Sequence, residues 1–125
     1  MLFVDDWGWA SVLYGVLPDY RYPLAYDSST LYAASPSRFW IWEHASAEGA
    51  FCDQPSLDAC PDARSSPDDV ARAMQAFGAE WVVTRGDKGP HDLLHVVQGA
   101  PERFELVTRA DATQQRFTVW HRRRP

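Results

Sequence analysis

Three apolar residues at the start of the chain, Leu2-Phe3-Val4, run directly into two acids and a Trp-Gly pair, Asp5-Asp6-Trp7-Gly8-Trp9. The triplet has the character of a short buried strand, and Asp6 stands where its carboxylate would accept an amide hydrogen from the first turn of a following helix. Apolar residues then recur at Trp9, Val12, Leu13, Val16 and Leu17, the spacing of one helical face, until Pro18-Asp19 ends the run. A strand feeding an amphipathic helix opens an α/β unit, whose crossover is right-handed if the next strand pairs in parallel. A strand this early, with no leader, suggests a domain belonging to a longer polypeptide.

The next strand is expected at Leu24-Ala25-Tyr26, ending at Asp27, and Pro23 removes a ladder donor, which argues for a sheet edge. Residues 28–65 read as an irregular insertion carrying aromatics and both cysteines, with Ser35-Pro36 starting a short helix through Phe39, Trp40 and Trp42. Regular patterning returns at Ser66-Pro67-Asp68-Asp69, a cap with acids against the helix dipole. Val70, Ala73, Met74 and Phe77 form the buried stripe of that helix, and Gly78 suits a left-handed terminator. Trp81-Val82-Val83-Thr84 is a central strand. Pro90 opens another short helix, through Gln98, that buries Leu93, Leu94 and Val97, and strands near 103–108 and 115–121 form an antiparallel hairpin. The predicted fold is therefore α/β: a three-layer, sandwich-like single domain over residues 1–125, with a short parallel sheet, crossover helices and a C-terminal antiparallel hairpin.

A chain of 125 residues, 46% hydrophobic and 23% charged, can bury one real core and is not of disordered composition. Its net charge of -5 and the confinement of its basic run to Arg122-Arg123-Arg124, read as a solvated tail, argue against nucleic acid as a partner. No stretch of about 18 apolar residues is present to span a membrane. Six Trp, five Tyr and six Phe exceed the needs of so small a core, which leaves either a contact surface or crowded packing. Cys52 and Cys60 lie in a Pro-, Asp- and Ser-rich segment; a disulfide of the exported type is the favoured reading, two unrelated thiols the alternative, and no further Cys or His pair stands at zinc-site spacing.

Ligands of open α/β sheets collect beyond the carboxyl ends of parallel strands. Those ends supply Asp5, Asp6, Tyr26, Asp27, Thr84 and Arg85. Asp5, Asp6 and Asp27 opposite Arg85 could hold a polyhydroxylated ligand or a divalent ion, with Trp7 or Trp9 offering a flat face to a sugar ring; the competing reading makes them caps, turns and a local ion pair. His91 and His95, four apart on a predicted helix, would share one face but lack a third metal ligand. Catalytic residues and metal ligands are not expected in this chain. No phosphate-binding glycine loop or nucleophile elbow occurs, and Thr84-Arg85-Gly86-Asp87-Lys88-Gly89 lacks the spacing of the former. Leu2-Phe3-Val4-Asp5-Asp6 resembles the first strand of a receiver domain, but the strand that would carry the acceptor Asp has no counterpart.

Taken in order, Asp5-Asp6-Trp7-Gly8-Trp9, Pro18-Asp19-Tyr20-Arg21, Leu24-Ala25-Tyr26-Asp27, Phe77-Gly78-Ala79-Glu80-Trp81-Val82-Val83 and the terminal Arg116 to Arg122 strand resemble one family. It is the extracytoplasmic C-terminal domain of polytopic, lipid-phosphate-sugar-dependent glycosyltransferases, the mannosyltransferase and aminoarabinose-transferase superfamily. Many members have Asp-Gly-Arg where this chain has Asp27-Ser28-Ser29. The resemblance implies an accessory domain on the periplasmic or cell-surface side, tethered to a membrane-embedded remainder of the same chain, which assists in binding a glycan acceptor or braces the membrane part. It further implies a lipid-phosphate sugar donor for the parent enzyme, with the catalytic carboxylate on a loop outside these residues and no cofactor here. The readings from other classes are a receiver-like cytoplasmic interaction module and a purely structural domain.

Overall fold

A computed structural model describes residues 2–4, 34–85, 89–112 and 115–123. The elements are β1 (Leu2–Val4), α1 (Pro36–Glu48), a 3-10 turn (Leu57–Ala59), α2 (Pro67–Ala76), β2 (Trp81–Thr84), α3 (Leu93–Gln98), β3 (Phe104–Ala112) and β4 (Gln115–Arg122). The predicted helix over Trp9–Leu17 and strand at Leu24–Tyr26 lie outside the described residues.

Helices and strands are mixed as expected, but the sheet is mostly antiparallel. Its order is β1-β2-β4-β3. The hairpin folds β4 between β2 and β3, antiparallel to both, with Val82 opposite Trp120 and Phe104 opposite Arg122. Parallel pairing among the described residues is confined to β1 and β2, in the register Leu2 with Trp81, Phe3 with Val82 and Val4 with Val83. The expected short parallel sheet is thus replaced by a mixed one, because β2 spends its second edge on the hairpin. A bulge in β3 between Leu106 and Thr108 leaves Leu106 and Val107 exposed on the outer strand.

Each helix is set by local chemistry. In α2, Ser66 Oγ accepts the Asp69 amide hydrogen and Pro67 begins the first turn, as the sequence predicts. Val70, Ala73, Met74 and Phe77 are buried as one stripe, and Gly78 adopts φ 64° beyond it. Complete burial of Val70 and Met74 contributes about 1.5–3 kcal/mol each. Helix α1 is longer than the short aromatic helix expected and buries Ile41, Trp42, His44, Ala45 and Ser46. It ends at Gly49, whose φ of 61° lets its N–H reach the Ala45 carbonyl. A Cβ at Gly49 would also collide with Val96 Cγ2. Helix α3 begins at Leu93 rather than at Pro90, because the Asp92 carboxylate, fully buried, caps it by accepting the His95 amide hydrogen at 3.0 Å.

The three helices bury Trp42, Val70, Met74, Phe77, Leu93 and Val97 in one cluster with Phe3, Val82, Phe104 and Trp120 of the sheet. Phe3 meets Phe77 edge to face at 5.5 Å between centroids. Strand side chains alternate between faces, so Val83 and Val119, neighbours of Val82 and Trp120, lie on the other face. They too are buried, at 0% and 5% exposure.

Residues 49–66, an irregular loop, are held by one carboxylate. Asp69 Oδ2 accepts the Phe51 N–H at 3.1 Å and the Arg64 N–H at 2.7 Å, one from each limb, while the Ser66 N–H donates to the Gly49 carbonyl at 3.2 Å. Asp69→Ala should cost about 2–4 kcal/mol, because it strands two backbone donors at a site 4% exposed. Urea denaturation measures this; a change below about 0.5 kcal/mol, the scatter of ordinary surface substitutions, would show that the carboxylate does not hold the loop.

Candidate functional site

Parallel pairing of β1 and β2 defines one sheet end at which both strands run out, Val4 opposite Val83. Thr84 closes β2 there and is 1% exposed. A relay of hydrogen bonds fixes this corner: Trp120 Nε1–H donates to Thr118 Oγ1 at 2.9 Å, and that hydroxyl donates to the Thr84 carbonyl at 3.3 Å. Arg85 follows immediately and is exposed. Of the residues the sequence nominates, Thr84 and Arg85 therefore stand at the carboxyl end of a strand parallel to β1. Asp5, Asp6, Trp7, Tyr26 and Asp27 lie outside the described residues.

The loop cysteines are joined. Cys52 and Cys60 form a disulfide with Cα atoms 5.8 Å apart, and Cys52 is fully buried. Beside it, Glu48, Asp58, Ser65 and His91 contribute polar groups to a cleft of about 370 Å³. His91 is not on a helix with His95, as the sequence suggests, but precedes the Asp92 cap, and its carbonyl accepts the Ser65 hydroxyl at 3.3 Å. His95 instead turns back onto Asp92, with Nδ1 2.7 Å from Oδ1. That arrangement orients an imidazole in the way catalytic dyads do, but the described contacts of the pair are those of a capped helix end. The signal was in the sequence: an Asp three residues before His95 and directly before Leu93-Leu94 is a cap pattern. Among the described residues no group of three or more His, Cys, Asp or Glu could hold a metal ion, and no helix is long and apolar enough to cross a membrane.

A larger cleft, of about 700 Å³, opens at the opposite end of the sheet between α2 and the strand termini. Arg103, Arg122, Arg123, Glu80 and Glu102 line it. The reading of Arg122-Arg123 as a solvated tail is corrected here. Arg122 completes β4 opposite Phe104, and the Arg123 N–H donates to the Arg103 carbonyl at 2.8 Å.

No family model, curated protein or solved structure compared with the chain matches it.

Closing a loop of this length removes unfolded-state freedom worth about 2–3 kcal/mol. Reduction should therefore lower the denaturation midpoint by a corresponding amount, and thiol titration of the unreduced, unfolded chain should find no free thiol. Two titratable thiols in protein made under oxidising conditions would remove the crosslink from the account.

Proposed function

We propose that this chain is an accessory extracytoplasmic domain of an integral-membrane glycosyltransferase, which helps to bind a glycan acceptor or braces the membrane part and is not itself catalytic. The observation that carries the reading is the parallel register of β1 and β2. With Val4 opposite Val83, β1 finishes at the same end of the sheet as Thr84 and Arg85, and Asp5 and Asp6 are the next residues in the sequence. Carboxylates and a guanidinium at one strand end form the kind of surface that hydrogen-bonds sugar hydroxyls in pairs. The Cys52–Cys60 disulfide supports an oxidising compartment and speaks against the receiver-like cytoplasmic module.

Asp5, Asp6, Trp7, Asp27 and Arg85 are the residues assigned to the glycan, with the lipid-phosphate sugar donor and the reactive carboxylate belonging to the membrane-embedded remainder of the chain. Titrating the 125-residue protein with mannose-, galactose- and amino-sugar-containing oligosaccharides should change Trp fluorescence and shift the amide resonances of those residues. Arg85→Ala should weaken the response about tenfold, the loss of one charge-assisted hydrogen bond. No shift near these residues with any of the oligosaccharides would reduce the domain to a scaffold, whereas shifts produced by magnesium with a phosphate mimic would favour the receiver reading.

A further inference from the structure

We infer that the arginine-lined cleft at the far end of the sheet binds the zwitterionic headgroup of a phospholipid, so that this end of the domain rests on the bilayer. The inference rests on the reading above, in which a membrane-embedded remainder of the chain tethers the domain, and adds to it the orientation of the domain and the ligand class of a second site.

Topology brings the relevant groups together. Leu2 pairs with Trp81, Trp81 with His121 and Phe104 with Arg122, so the beginnings of β1, β2 and β3 and the finish of β4 share one end of the sheet. The cleft lies at this end, and the Thr84–Arg85 corner stands at the other. A four-residue strand separates the two ends by about 13 Å.

Two of the arginines are held before any ligand arrives. Arg103 Nη1 donates to Asp68 Oδ1 at 2.7 Å, and Arg123 Nε–H donates to the Pro101 carbonyl at 3.1 Å. Arg123 also lies with Nη1 4.0 Å from Glu105 Oε2. Arg122 is tied only through its backbone, whose N–H donates to the Glu80 carbonyl at 2.8 Å, and its guanidinium makes no ion pair among the described residues. A planar guanidinium matches two phosphate oxygens at once, and fixed neighbours lower the entropy lost on binding.

Glu80, whose Oε2 lies 4.0 Å from His121 Nε2, and Glu102 line the same cleft, which therefore presents both signs of charge. A phosphodiester linked to an ammonium group satisfies both; a simple anion leaves the carboxylates facing like charge. The net charge of -5 points the same way. A basic residue near an anionic bilayer contributes only about 1 kcal/mol, and an acidic chain is repelled by such a surface but not by a zwitterionic one. Trp81, half-buried with its ring 4.5 Å from that of His121, lies at this end as well, the residue type that favours the headgroup layer.

Glycerophosphoethanolamine is the soluble probe and sn-glycerol 3-phosphate the anion-only control, each titrated into the 125-residue protein by two-dimensional amide NMR. Shifts should gather at Glu80, Glu102, Arg103, Arg122 and Arg123, and the zwitterion should bind about tenfold more tightly than the control, the worth of one further charge-assisted contact. Vesicles of phosphatidylethanolamine and phosphatidylcholine should sediment the protein, and Arg122→Glu should abolish this. Arg122→Gln, which keeps the length and polarity of the side chain, repeats the measurement should the reversal unfold the protein. Equal affinity for glycerol 3-phosphate, no shift with either probe, or vesicle binding unchanged in the folded Arg122 variant each overturn the inference. Arg85→Ala separates the two readings: it should leave headgroup binding intact while weakening the oligosaccharide response. Absence of any oligosaccharide response beside normal headgroup binding would sink the glycan site alone.

Discussion

The Asp69 carboxylate is the constraint on which the described packing of loop and helices depends. Its Oδ2 takes amide hydrogens from Phe51 and Arg64, one on each limb of the disulfide loop, while its own N–H is capped by Ser66. An irregular loop packed against helices carries backbone donors that water cannot reach, and each must find a partner. A single buried oxygen accepting two of them fixes both ends of residues 51–64 to the first turn of α2. The crosslink between Cys52 and Cys60 then has only the middle of the loop left to restrain. The adjoining turn at Gly49 leaves no room for a side chain against Val96, so α1, the loop and α3 close on one another at that point.

This anchoring explains how an irregular loop can line a cleft without blurring it. Ser65, next to the loop's foot, donates to the His91 carbonyl, and His44 Nε2–H donates to the Gln54 carbonyl at 2.7 Å. Side chains of α1 and backbone near α3 are thereby tied to the loop as well as to the core. The loop is a fixed spacer between helices rather than a lid, and the smaller cleft inherits its shape from those ties.

What the sequence discloses divides by the range of the interaction. The start of α2, its buried stripe and the Gly78 stop were legible because Ser66, Pro67 and the Val70-Ala73-Met74-Phe77 spacing act within two turns of chain. In the sequence Pro90 is the louder signal for the beginning of α3, whereas the deciding residue is Asp92, whose capping role is visible only as a carboxylate three residues before His95. Helix α1 was legible at its Ser35-Pro36 start but not in its length, since Trp40, Glu43 and Ala47 break any single apolar stripe. Nothing local connects Asp69 with Phe51, 18 residues away, or Arg103 with Arg122 and Arg123. The second meeting follows from strand order, and the insertion of β4 between β2 and β3 turns an apparent basic tail into part of a cleft. Of the nominated glycan residues, only Arg85 falls among those described, at a strand end as sequence reasoning expects.

Strand β2 links these features. Val82 faces the helix cluster and Val83 the opposite side, and neither is exposed to solvent. β1 and β4 take its two edges, so the four-residue strand is constrained from every direction. A strand buried in this way has little freedom to twist or slide, since a one-residue slip would exchange its two faces. Glu80 precedes it and Arg85 follows it, one at the mixed-charge cleft and the other at the Thr84 corner. The spacing between the two surfaces is therefore set by a strand buried on both faces and paired on both edges. A substitution that loosens β2 must disturb both ends together, while one confined to Arg85 or Arg122 disturbs only its own.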